Sequence, residues 1–208
     1  MCGISLIINK DNQPVDKGEL NLMNRKVMHR GPDDDGVHIE ENIGFGFQRL
    51  SIIDLSMAGH QPMTYEDGNV IIFNGEIFNY VELKKELNKL GVSFRSKTDT
   101  EVILAAYNRW GEQSIKRFNG MWGFALYDRQ KEKIIISRDR FGIKPIYYWS
   151  NAKTFSVASE IKQFYALRKF KAELEPEMAF RFLFKNQLNV NEKTFFKNVH
   201  ELRPGNNI

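Results

Sequence analysis

Met1-Cys2-Gly3-Ile4-Ser5-Leu6-Ile7-Ile8-Asn9 places the chain's one cysteine directly behind a methionine and at the head of a nearly continuous apolar run. Ile4–Asn9, short and β-branched, reads as a buried strand. If Met1 is removed, Cys2 carries a thiol and a free α-amine on the same carbon. Such an amine titrates near ~8 and can take up the proton of a thiol, whose anion is a strong nucleophile. Gly3 adds no side chain to obstruct a substrate. The stretch has no basic leader and no cleavage-site pattern, so it reads as a strand and not as a signal peptide.

The rest of the composition narrows the class. Hydrophobic residues make up 42% of the 208, with 16 phenylalanines, enough for a substantial core in one domain spanning residues 1–208. No segment approaches the roughly 20 apolar residues of a membrane-spanning helix, so no membrane partner is expected. A lone cysteine excludes an internal disulfide and fits a reducing, cytoplasmic setting. The net charge of +4 is spread through the chain without a nucleic-acid motif. His29, His38, His60 and His200 are dispersed, and no Cys/His pair has ligand spacing, so no metal is expected.

Along the chain, Leu20–Met28 reads as a short helix ended by RGPDDDG (Arg30 to Gly36). Val37–Glu40 and Gly44–Arg49 read as paired strands. Ser51–Leu55 and GHQPM (Gly59 to Met63) read as an ordered loop, and Asn69–Ile77 as a second strongly apolar strand. A helix over Tyr80–Leu90 has Asn79 as N-cap and Gly91 as its stop. Thr98-Asp99-Thr100-Glu101 opens another with a capping-box pattern, Thr98 capping and Glu101 reaching back. Phe124–Asp128, Ile134–Arg138, Ile146–Trp149 and Phe155–Ala158 alternate with polar turns and suggest an antiparallel meander. Glu160–Leu167 and Glu177–Phe184 read as helices, and residues 186–208 as a polar, irregular tail. Strands without a βαβ repeat indicate an α+β protein with mainly antiparallel sheets.

A thiol that attacks an amide carbonyl needs an oxyanion site and charge partners for its substrate. Asn74-Gly75 offers a side-chain amide beside a backbone N–H where substrate can approach closely, or else a bulge in a strand. Arg49 suits a carboxylate clamp, or a surface ion pair. Asp99 lies in a first helical turn, where capping alone would explain it. Glu76 suits a ligand ammonium or a structural lysine. Arg30 and Asp33 flank Gly31-Pro32 and could line the pocket, though they read better as a structural, loop-anchoring pair. Together, a nucleophile, an amide donor, one arginine and two carboxylates could hold a zwitterionic amino acid and cleave its side-chain amide.

The ordered segments MCGI, RGPDDDG, FQRLSIIDLSMAGHQPM, FNGEIFNY, SKTDTEVIL, FNGMWGFALYD, RDRFGIKPIYY and FSVASEIK resemble class II glutamine amidotransferases, most closely the glutaminase domain of glutamine-hydrolysing asparagine synthetases. The likeness runs from Cys2 to about Lys162, then more weakly to LRPGNNI. It implies a four-layer αββα N-terminal-nucleophile hydrolase sandwich with two antiparallel sheets. It also implies roles: Cys2 as nucleophile with its own α-amine as base, Asn74 and Gly75 as oxyanion hole, and Arg49 on the α-carboxylate of L-glutamine. Glu76 and Asp99 would take the α-ammonium, with Leu50, Ser51, Ile52 and Ile53 lining the same pocket through backbone groups. Phe78 stands where many relatives have Tyr, and Trp122-Gly123 where Phe-Ala is common; neither removes a catalytic group. The resemblance implies no cofactor in this domain, and ATP and magnesium in a synthetase domain toward which the tail 186–208 would lead. No SGGxDS-type phosphate loop occurs here. The implied partner is a synthetase domain or subunit that receives ammonia, with homodimerisation left open. A non-catalytic glutamine-binding domain, or service to a non-aspartate acceptor such as a sugar acid, are the alternatives.

Overall fold

The computed structural model describes residues 1–188 and 190–208. The N-terminal apolar run forms β1 (Gly3–Asn9), buried on both faces, which is why its apolarity is continuous and not alternating. Asp16 caps α1 (Lys17–Arg25) by accepting the Gly18 and Glu19 amides. A 3₁₀ turn at Met28–Arg30 leads to β2 (Asp34–Glu40) and β3 (Ile43–Arg49). The loop that follows holds a 3₁₀ turn at Met57–Gly59 and the short β4 (Met63–Thr64), and ends at β5 (Val70–Ile77).

Helices α2 (Tyr80–Lys89) and α3 (Asp99–Trp110) come next, then β6 (Gly120–Asp128) and β7 (Lys133–Arg138). They are followed by β8 (Tyr147–Ser150), β9 (Thr154–Ala158), a 3₁₀ segment at Ile161–Ala166, α4 (Pro176–Lys185) and β10 (Val199–Glu201).

Two antiparallel sheets result, ordered β10-β8-β9-β1-β3-β2 and β4-β5-β6-β7. Ile4, Leu6, Phe45 and Phe47 of the first meet Val70, Ile72, Ala125 and Tyr127 of the second between the sheets. The outer face of the first sheet packs Ile7 and Trp149 against Leu20 and Met23 of α1 and Phe164. The outer face of the second packs Ile71, Phe73 and Phe124 against Leu83, Leu87, Val102 and Ile103 of α2 and α3. Helix, sheet, sheet, helix is the four-layer α+β sandwich that the resemblance implies.

Four expectations need correction. The four strands from β6 to β9 are not one meander: β6 and β7 belong to the second sheet, β8 and β9 to the first. Asn79 makes no side-chain cap on α2; its amide instead ties Arg117 and Asn119. Thr98 does cap α3 through the Glu101 amide, but the Glu101 carboxylate accepts from Arg95 and Ser96. Half a capping box therefore forms. The tail is not irregular throughout, since β10 pairs with β8 and Ile208 exchanges backbone hydrogen bonds with Ile136. Among the described residues no helix is long and apolar enough to cross a membrane.

Phe45 is fully buried between the sheets. Phe45→Ala is expected to lower the unfolding free energy by about 3–5 kcal/mol, because the cavity adds to the lost transfer energy. Urea denaturation of both proteins measures it.

Candidate active site

Cys2 stands at the open end of β1, where pairing with β3 begins at Gly3 and Gln48. That register sets the thiol against the corner where β3 ends. The Leu50 amide donates to Cys2 Sγ at 3.3 Å, and Sγ reaches the Leu50 carbonyl at 3.6 Å. On the N-terminal side of Ser5 the strand loses its neighbour β9, and side chains take over. Ser159 Oγ accepts the Ile4 amide at 3.0 Å, and Gln163 donates to the Ile4 carbonyl at 3.0 Å.

Arg30 Nε donates to the Cys2 carbonyl at 2.9 Å and its Nη1 reaches Glu160 at 3.0 Å. Glu160 also receives His29 and Lys162. Burial works to raise its carboxyl, but hydrogen bonds from Lys162, Arg30 and His29 outweigh that and hold it at about 2. Arg30 and Asp33 do not pair with each other: Asp33 accepts the Ser51 amide at 2.7 Å instead. Arg30 thus steadies the Cys2 carbonyl, and Asp33 the loop beside it.

A single cavity is lined by Cys2, Arg49, Leu50, Ile52, Ile53, Gly75, Glu76 and Asp99. Ser51 and Asn74 do not line it. Asn74 is buried one residue before Gly75, and its Nδ2 has no acceptor among the described residues. An amide left unpaired in the interior costs free energy. Gly75 is obligatory on steric grounds, since a Cβ there would strike the Met121 carbonyl and approach the Phe73 ring to 2.7 Å. Glu76, next along β5, makes no ion pair among the described residues.

Arg49 is no surface residue, at 6% exposure. Its Nη1 donates to the Ser56 carbonyl at 3.0 Å and its Nη2 to that of Asp54. Gly59 packs flat against the guanidinium, where any Cβ would collide with Nη2. Nε takes no acceptor among the described residues.

Asp99 is 5% exposed and accepts the Ile77 amide at 2.9 Å. Burial raises its carboxyl to about 6, assisted by Glu76 and opposed by amides of Ile77, Asp99 and Thr100. Asp99 thus lies buried near a Glu76 that makes no ion pair among the described residues. Burial likewise raises the Cys2 thiol above its usual value, against the pull of the Leu50 amide and the positive N-terminus, Lys144 and Arg49.

Lys144, 6% exposed, was not singled out by the residue pattern, and burial lowers its ammonium. Glu160 and Lys144 carried only motif signals, within FSVASEIK and RDRFGIKPIYY. Among the described residues no group of His, Cys, Asp or Glu side chains could hold a metal ion.

Two antiparallel sheets between helical layers, with a cysteine heading the central strand, define an N-terminal-nucleophile amidotransferase fold. Solved structures agree: glutamine phosphoribosylpyrophosphate amidotransferase from B. subtilis superposes with a TM-score of 0.70 at 19% identity, over 84% of this chain and 45% of that one. The family model for the glutamine amidotransferase domain matches residues 1–208, and the chain belongs to that family.

It is 39% identical, over its full length, to 44% of a putative glutamine-hydrolysing asparagine synthetase of Methanocaldococcus jannaschii. Over 88% of its length it is 41% identical to 30% of glutamine-hydrolysing asparagine synthetase 1 of Bacillus subtilis. The chain therefore spans less than half of these relatives.

The folded chain holds the Asp99 proton up to about pH 6, whereas an unfolded Asp releases it near 3.8. The stability that this proton contributes is full below the lower value and is lost as pH rises through the upper. Asp99→Asn is expected to remove that decline, on the order of 2–3 kcal/mol at the linkage rate per pKa unit. Denaturation midpoints of both proteins between the two pH values check it.

Proposed function

We propose that the chain hydrolyses the side-chain amide of L-glutamine once Met1 is removed, and passes the ammonia to a synthetase region. The observation that supports this most is the unpartnered Asn74 amide next to Gly75, which itself lines a cavity that gathers a thiol, one arginine and the carboxylates of Glu76 and Asp99. While Met1 is attached, the Cys2 nitrogen is a peptide amide without a basic lone pair. Met1 is half exposed and accessible to an aminopeptidase.

Burial disfavours the thiolate of Cys2, so the thiol needs a base, and in the processed protein its own α-amine stands on the same residue. The amine takes the thiol proton and Sγ attacks the glutamine δ-carbon. Asn74 Nδ2 and the Gly75 amide stabilise the oxyanion that forms. The C–N bond breaks as the ammonium returns its proton to the leaving nitrogen, which departs as ammonia. Water, activated by the same amine, then cleaves the thioester to give glutamate and the thiol.

Arg49 holds the α-carboxylate, Glu76 and Asp99 hold the α-ammonium, and Leu50, Ile52 and Ile53 line the pocket beside them. No cofactor enters these steps; ATP and magnesium would serve the synthetase region. The names of the relatives support aspartate as acceptor, a choice made outside this domain.

Glutamate release from L-glutamine, by protein whose mass confirms loss of Met1, tests the reading; no turnover and no binding would overturn it. Cys2→Ala abolishes turnover, while Asn74→Ala lowers kcat on the order of 100-fold with little change in KM. The KM for glutamine rises as pH falls below about 6, because a protonated Asp99 no longer attracts the ammonium. A KM that is flat across that range would remove Asp99 from the binding site.

A further inference from the structure

RGPDDDG and GHQPM each contain a residue that the proposed hydrolysis does not use, and the two meet behind Arg49. His60 Nδ1 lies 2.7 Å from Asp34 Oδ2. An ionised carboxylate only accepts, so Nδ1 carries the proton. The same oxygen lies 3.9 Å from Arg49 Nη1. This chain of three rests on the framework, because Asp34 and Arg49 are direct partners in the β2–β3 ladder.

The His60 ring packs on the backbone of Gly36, where a Cβ would come within 2.8 Å of Cε1 and Nε2. His60 also closes the loop whose Asp54 and Ser56 carbonyls hold the other side of the guanidinium. Neither Asp34 nor His60 lines the cavity.

An arginine fork binds a carboxylate well only when its plane is fixed before the ligand arrives. Asp34 supplies a tether but is itself an anion that competes for Arg49, and the His60 N–H draws that charge toward itself. We propose that Asp34 and His60 are positioning residues that set the orientation of Arg49, and through it the affinity for the substrate's α-carboxylate. The inference rests on the glutamine-hydrolysing reading.

The test compares L-glutamine with its α-carboxamide, which lacks the group Arg49 would bind, using full-length protein freed of Met1. Kinetics and calorimetry are run on His60→Leu, Asp34→Ala and His60→Asn. His60→Leu and Asp34→Ala are expected to raise both KM and Kd for L-glutamine roughly tenfold while kcat stays within about twofold. The kcat/KM for the α-carboxamide stays unchanged. His60→Asn, whose side-chain N–H can replace Nδ1, recovers most of the loss. Combining His60→Leu with Arg49→Lys adds no further loss.

Equal losses on both substrates would mean general damage and overturn the inference, as would an unchanged KM and Kd for L-glutamine. If wild-type protein binds L-glutamine without turning it over, the Kd values decide alone. If it neither binds nor hydrolyses L-glutamine, the hydrolytic reading falls and this inference falls with it; normal wild-type behaviour with unaffected variants overturns the inference alone.

Discussion

Everything in the site depends on β1 being paired along both edges, by β3 and by β9, while its first residues project past β9. A central strand cannot slip by one residue without exchanging its two buried faces, and each face here meets a different core. The position of Cys2 is therefore fixed by the packing of Ile4, Leu6 and Ile7. The backbone groups that β9 no longer satisfies are taken by Ser159, Gln163 and Arg30. The Cys2 sulfur is left at the end of β3, against the backbone of Leu50.

The second organising fact is polar material buried at a cost. Asn74 keeps an amide without an acceptor, Arg49 is nearly inaccessible, and Asp99 is pushed toward neutrality by its surroundings. Stability alone would favour apolar groups at such positions. Their coexistence around one thiol is understandable if a zwitterion with a side-chain amide completes the set. The preorganisation is visible in the glycines: Gly59 admits the guanidinium and Gly75 admits the neighbouring strand, and neither tolerates a Cβ.

How far the sequence could be read varies by feature. Strand and helix locations followed from apolar runs and punctuation, since burial against a sheet imposes those patterns locally. Caps were less legible. Asn79 and Glu101 have the chemistry of capping residues, but each found a stronger set of partners in an adjacent loop. Which sheet a hairpin joins was not legible at all, because β6–β7 and β8–β9 carry equivalent local patterns. The tail was misread for a related reason: Val199–Glu201 becomes a strand only because β8 offers it an unpaired edge.

By itself the sequence determined the types of most elements, the placing of a lone cysteine at the head of a buried strand and, through ordered motifs, the residues from Cys2 to Asp99 that merit attention. Those signals are local, carried by side-chain chemistry and by the period of burial along the chain. Only the tertiary structure decided which of them share a cavity, that Asn74 is buried with an unpaired amide, and that Arg30 grips the Cys2 carbonyl. It alone brought Asp34 and His60 together behind Arg49. Contacts of that kind join residues distant in the chain, and strand register and sheet packing set them, neither of which leaves a mark on any short stretch of sequence.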